Sequence, residues 1–302
     1  MLKHTTKQAE VIDMQIEIKN SIGKFVIGGG KHPNARLREI TGLGPPGKDI
    51  QTITFAGQPG RTQTNMRDME RVITMSFDFF GGISEIEKLY RLIYNEVDII
   101  ITTSMKKRKI TGICLNSSEI EKIIYHKWQR LVLQFTCNEP YFKDPEPYII
   151  PIFKRTDLFP NAVSEDGAFQ LLLPAVATMR TTEATIINTG DVKIYPLIRL
   201  VNSSETSALS ETVISIYNST IGAKITLEYL AKTGEEIVID LPHRKIISNI
   251  NGDITKHICD DTVLGNFFLN VGENAVSAVM NNSSIGLVVT VEYSNNYASA
   301  VI

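Results

Sequence analysis

Little in this 302-residue chain is suited to redox or metal chemistry. Its three cysteines, Cys114, Cys137 and Cys259, stand far apart. An odd, sparse count argues against a disulfide framework and fits synthesis in a reducing cytoplasm. Long apolar runs are missing. The stretch 171–176 is broken by Pro174, and 97–101 carries Asp98. Both fall well short of the ~20 residues a membrane helix needs, so no membrane insertion is expected. Residues 1–8 hold lysines with no apolar run after them, and no signal peptide is expected. No glycine period or sustained heptad is present, which excludes collagen-like and coiled-coil rods. What remains is 43% hydrophobic and 21% charged, the composition of a packed protein, and the length suggests two domains.

The net charge of −2 is unevenly divided. Residues 1–145 carry 21 Lys and Arg against 16 Asp and Glu, a net of +5, and residues 146–302 carry 10 against 17, a net of −7. Opposite charges on two domains would favour head-to-tail contacts between copies or with unlike partners. The boundary is marked by proline. Five of the twelve, Pro140, Pro145, Pro147, Pro151 and Pro160, fall between 138 and 160. They suggest a stiff, extended linker between domains 1–145 and 146–302.

Period-2 alternation dominates the first half. Ile12, Met14, Ile16 and Ile18, then Ile73, Met75, Phe77 and Phe79, then Leu131, Leu133, Phe135 and Cys137 each predict a strand with one buried face. One helix is predicted over about 84–96. Ser84-x-x-Glu87 reads as a capping box, and Ile86, Leu89, Tyr90 and Ile93 follow at helical spacing. After the linker, short strands are predicted at 193–201, 212–218, 223–230, 235–240, 244–249, 267–270 and 286–293. Turn residues, among them Asn251-Gly252, separate them, the pattern of a sandwich or jelly roll.

Candidate chemical motifs each fail on context. Gly42-Leu43-Gly44-Pro45-Pro46-Gly47 matches a dinucleotide-loop spacing, but a strand-like run at 48–55 follows where a helix is needed, and two prolines remove amide donors. Gly28-Gly29-Gly30-Lys31 lacks the phosphate-loop spacing, and His32 and Pro33 follow it. His257, Cys259, Asp260 and Asp261, with His243 upstream, lack zinc-site spacing. His4, His32 and His126 have no partner visible in the sequence. Ser21-x-x-Lys24 sits in a strand region, away from the helix that such a nucleophile pattern needs. Glu235-Glu236 falls at a predicted hairpin turn, where solvated acids are expected. No catalytic residue, cofactor or metal site is expected. The one candidate contact site is the basic run Lys106, Lys107, Arg108 and Lys109, on a predicted hairpin tip. It could meet phosphate or an acidic protein surface, and no aromatics interleave with it for base stacking.

Three segments of the first half resemble the phage distal tail protein family. They are Ile40-Thr41-Gly42-Leu43-Gly44-Pro45-Pro46, Arg71-Val72-Ile73-Thr74-Met75-Ser76-Phe77 after Glu70, and 129–142, where a strand runs into Pro140-Tyr141-Phe142. In the second half, Asn188-Thr189-Gly190 before Pro196, Ile239-Asp240, Asn251-Gly252 and Leu269-Asn270-Val271-Gly272-Glu273-Asn274 agree in order and spacing. The resemblance implies a mainly β protein: an N-terminal split β-barrel-like domain with one helix, then a C-terminal galectin-like jelly-roll β-sandwich. It implies a non-enzymatic virion subunit at the tail tip of a phage or of a phage-tail-like bacteriocin. Six copies would form a ring joining the tail tube protein to the hub or tail-associated protein. The C-terminal domains would project towards receptor-binding proteins. Residues 1–10 exceed what the family leads one to expect before the first strand and would serve as an arm for a neighbour. The alternative is a carbohydrate-binding adhesion module. Trp128, the one tryptophan, lies in the first domain, so the second offers only residues such as Tyr195, Tyr217, Tyr229 and Tyr293 for stacking on sugars. In a tail ring, the basic tip would touch an acidic protein surface, with no sequence-specific nucleic acid bound.

Overall fold

A computed structural model describes residues 14–29, 34–57, 59–117, 129–157, 178–181, 183–202, 212–280 and 287–300. The expected arm at 1–10 and the positions of His4, His32, His126 and Trp128 lie outside the described residues. The chain is mainly β, in several antiparallel sheets, with one α-helix among the described residues. It divides into two units, one running to Pro145 and resuming at Asn296, the other from Glu146 to Asn295.

The first unit contains β1 Gln15–Lys19, β2 Lys24–Gly28, β3 Ala35–Thr41, β4 Lys48–Ile53, β5 Thr62–Asp68, β6 Arg71–Phe79, α1 Ile83–Ile93, β7 Val97–Thr102, β8 Lys107–Ser117, β9 Gln129–Cys137 and β10 Phe142–Lys143. Its main sheet runs β2-β1-β7-β8-β9-β6-β3. The predicted alternations fill its core. Ile16 and Ile18 of β1 lie opposite Ile101 and Ile99 of β7, and Ile73, Met75 and Phe77 lie opposite Phe135, Leu133 and Leu131. Burying each such side chain contributes roughly 1.5–3 kcal/mol. The sheet curls until its two ends approach. A Cβ on Gly28, in β2, would lie 3.5 Å from Leu37 Cβ in β3 and only 2.5 Å from the Met14 carbonyl oxygen. With φ at +75°, that position suits glycine alone.

Ile86, Leu89, Leu92 and Ile93 carry α1 into this core. The helix starts earlier than its sequence pattern suggests. Gly82 is the N-cap, and its carbonyl accepts the amides of Glu85 and Ile86. Ser84 therefore lies inside the first turn, and no side chain caps it. Instead Glu85 turns outward to accept both hydrogen bonds of the Asn34 amide, at 3.0 Å. The helix ends at Tyr94, whose amide donates to Tyr90.

The second unit contains β11 Tyr148–Asp157, β12 Thr178–Thr181, β13 Glu183–Asn188, β14 Leu197–Asn202, β15 Thr212–Asn218, β16 Ala223–Tyr229, β17 Glu236–Asp240, β18 Lys245–Ser248, β19 Gly252–Asp253, β20 Gly272–Met280 and β21 Leu287–Tyr293. One sheet has the order β12-β11-β21-β14-β17-β18-β19 and the other β13-β20-β15-β16. Ile198, Leu200, Val289 and Val291 of the first share a core with Ile186, Ile214, Ile216, Val276 and Ala278 of the second, which makes a two-sheet sandwich. The family-like turns are closed by buried asparagines. Asn188 accepts the Gly190 amide and donates to Val192 O, and Asn274 bridges the Asn270 amide and carbonyl.

The part of the proline-rich stretch that the structure describes contains strands where a linker was expected, with Pro160 outside the described residues. Phe142–Lys143 pairs with β22, Asn296–Tyr297, inside the first unit. Pro151 lies in β11 beside a register shift, where a missing donor is tolerated. The second domain also ends before 302: the chain beyond Asn295 returns to the first unit.

Candidate functional site

The basic run does not form a uniform tip. The β7–β8 register pairs Thr102 with Lys107, Ile101 with Arg108 and Ile100 with Lys109, so three of the four cations belong to a strand. The Thr103 amide and the Lys106 carbonyl close the turn at 2.8 Å, leaving Met105 91% exposed at its crest. Lys106 and Lys107 are exposed. Arg108 is not: its guanidinium donates to Asp144 at 2.8 Å and stacks on the Tyr297 ring at 3.5 Å. Lys109 lies 3.8 Å from Asp98. Alternation puts Arg108 on the opposite face of β8 from Lys107 and Lys109, and the proximity of Asp98 distinguishes Lys109 from Lys107. The exposed crest is therefore Met105, Lys106 and Lys107.

A second arginine organises the unit, and sequence reasoning missed its role. Arg71 opens β6 with its side chain only 3% exposed. Its Nε donates to Pro140 O at 2.6 Å, Nη1 to the carbonyls of Gly42 and Gly44, and Nη2 to Ala298 O at 2.8 Å. The guanidinium lies 4.5 Å from the Phe142 ring centre. The three family-like segments of the first half thus meet on one side chain. Burial lowers the pKa of Arg71 and raises that of the neighbouring Cys137 thiol to about 11. The loop turns the carbonyls of Gly42 and Gly44 inward, onto a cation. Gly42 has φ +86°, and a Cβ there would lie 2.1 Å from Val72 O.

Beyond this node β4 and β5 leave the sheet as a separate two-stranded arm. Its base is fixed: Asp68 is paired with Lys48 and accepts the Tyr141 hydroxyl, and Met69 N donates to Gly47 O at 2.8 Å. Burial, aided by Asp68, pushes the Tyr141 phenol up to about 12. Further out the arm is exposed on both faces. Ile50 opposes Met66, and these two with Ile53 and Phe55 remain open to solvent.

The remaining polar candidates have separate partners. Asp261 pairs with Lys224 at 2.9 Å, the His257 ring stands edge-on to Tyr229 at 5.1 Å, and Cys259 N donates to Thr226 O. Glu235 corrects an expectation: at the hairpin turn it is fully buried, not solvated. It accepts the Tyr229 hydroxyl at 2.7 Å, the Lys232 amide at 2.7 Å and the Ser248 hydroxyl. Burial alone would raise its pKa, but these donors outweigh it and hold the carboxyl below its ordinary range. Of the tyrosines considered as sugar platforms, Tyr229 and Tyr293 are core residues, and Tyr195 and Tyr217 are half-buried with Lys193 and Lys224 against their rings.

The fold is shared with solved phage proteins. The structure of Dit (gp 19.1) of phage SPP1, described as a paradigm of the hub adsorption apparatus in phages infecting Gram-positive hosts, aligns with a TM-score of 0.57. The alignment is at 16% identity and covers 86% of this chain and 93% of that one. A chain of the phage P2 baseplate, in its activated conformation with Ca, aligns with a TM-score of 0.53 at 9% identity, over 93% of this chain and 98% of the other. Among curated proteins no relative matches by sequence. Residues 189–297 match the family described as Siphovirus-type tail component, C-terminal domain. The family match, with the shared fold, bears out the resemblance to phage distal tail proteins.

Proposed function

We propose that this chain is a non-enzymatic structural subunit of a phage tail-tip baseplate. Six copies close into a ring that joins the tail tube to the hub, and the sandwich units, read as galectin-like jelly rolls, hold peripheral host-binding proteins. One observation carries this reading: the alignment with Dit covers 86% of this chain, more than either unit alone could supply, and 93% of the Dit chain. An isolated sugar-binding module would need only the sandwich. The open arm of the first unit adds support, since an exposed two-stranded ribbon gains most from a neighbour. Lys106 and Lys107, with Met105, are the part of the basic run able to meet an acidic neighbouring surface. Native mass measurement and negative-stain imaging of the purified full chain test the reading. Six-membered rings are expected. Monomers at every concentration, binding glycans, would replace the ring with the adhesion module.

A further inference from the structure

Residues 296–300 enter the first unit after the chain has run through the whole of the second, Glu146–Asn295. Each of the five is fixed there. Asn296 and Tyr297, as β22, pair with Lys143 and Phe142. The Tyr297 ring lies against the Arg108 guanidinium, and its hydroxyl donates to Asp144 at 3.3 Å. The Ala298 carbonyl accepts Arg71 Nη2 across 227 residues of sequence. The Ser299 hydroxyl and the Ala300 amide donate to Leu43 O at 3.0 and 3.1 Å. Ala300 is 2% exposed and joins the core that holds Leu43, Cys137 and Phe142.

The seven strands of the main sheet all precede residue 146, so the strand order does not depend on this segment. The buried polar groups at the sheet's end do. Without residues 296–300, Leu43 O loses two donors, Arg71 Nη2 loses its acceptor and Arg108 loses its ring. Leaving such groups buried and unpaired costs more than their hydrogen bonds contribute. Domains generally fold in order as the chain is made. The first unit cannot finish in that order. We infer that residues 296–300 are a strap that completes the first unit last, so that this unit becomes stable only once the second has been made. A chain broken off inside the second unit would carry a first unit still open around Arg71 and Leu43. The strap acts within one copy, so it stands whether or not six copies form a ring.

Hydrogen exchange on the full-length chain tests whether the first unit needs the strap. Ala300→Glu puts a charge in the core that is relieved when the strap lets go, so the measurement asks whether the unit survives the release. Amides of β6 and β9 should exchange about a hundredfold faster than in the wild type, and those of β14 and β21 in the second unit should not change. Tyr297→Phe keeps the ring on Arg108 and should stay within about threefold of the wild type. Unchanged exchange in β6 and β9 of Ala300→Glu, or equal losses in both units, would overturn the strap. The order of events is read by limited proteolysis of ribosome-bound chains. A short extension after Ile302 keeps residues 296–302 inside the exit tunnel, and a long one releases them. Protease should cut the first unit freely in the short form and not in the long form. The long form of Ala300→Glu should be cut like the short one. A first unit equally resistant in both forms of the wild type would show that it closes without the strap.

Discussion

The Arg71 node and the β4–β5 arm are joined end to end in the chain and are built on opposite principles. At the node a buried cation collects four backbone carbonyls from three distant segments, so each group is satisfied within one copy. In the arm the ladder is formed but the side chains of Ile50, Ile53, Phe55 and Met66 stay about half exposed among the described residues. The node answers to the stability of a single chain. The arm does not bury its apolar side chains among the described residues, and an exposed apolar patch of this kind is a feature of interaction surfaces. Substitutions at the two places should therefore separate folding from assembly.

The largest effect is expected at the node. Arg71→Met leaves the carbonyls of Gly42, Gly44, Pro140 and Ala298 without their donor. The cost should be roughly 3–5 kcal/mol, the range for breaking a buried charged network. Urea unfolding followed by Trp128 emission measures it, and a loss below about 1 kcal/mol would mean that water replaces the guanidinium. Next is Arg108→Gln, which removes the one member of the basic run that pairs with Asp144 and stacks on Tyr297. About 1–3 kcal/mol is expected by the same assay.

The second unit sharpens the comparison, because its buried charge is an anion held by hydroxyls and an amide. The folded pKa of Glu235 is depressed, so its contribution is fully present above the unfolded carboxylate value of about 4.3. That contribution is lost as pH falls through the folded value. The stability gap between wild type and Glu235→Gln should thus be widest near neutrality and narrow on acidification below about pH 4. A gap that stays constant with pH would mean that Glu235 is already protonated in the fold. The smallest effect belongs to Lys106→Gln with Lys107→Gln: unfolding should change by no more than about 0.5 kcal/mol. Any effect on docking to an acidic neighbour should be a slower rate that salt no longer modulates. A large loss of stability would show these lysines to be structural, as Arg108 is.

Much of the scaffold was legible in the sequence. The alternation at 71–80 and 129–137 returned as β6 and β9 with the expected faces buried, because period 2 reports burial directly. Strand β20 was not foreseen. It opens with Gly272-Glu273-Asn274 and buries the small side chain of Ala278, so its composition reads as turn. Glu235 looked solvated because its partners Tyr229 and Ser248 come from other strands, and only the fold brings them to it. The node was invisible for a deeper reason. Arg71 is recognised by backbone carbonyls as far away as Ala298, and a carbonyl has no residue identity to read. The arm's strands were partly visible at 48–55. Their exposure was not, since Ile50 and Phe55 resemble core residues in the sequence and only the fold of the described residues leaves them open.

Amide hydrogen exchange on the assembled and the dissociated full chain tests the division of labour most directly. Amides of β6 should be slow in both states, since Arg71 and the core hold that strand within one copy. Amides of β4 and β5 should exchange fast in the dissociated chain and become strongly protected on assembly. Equal protection of the arm in both states would contradict the account, because the arm would then be held without a neighbour or would remain free in the ring.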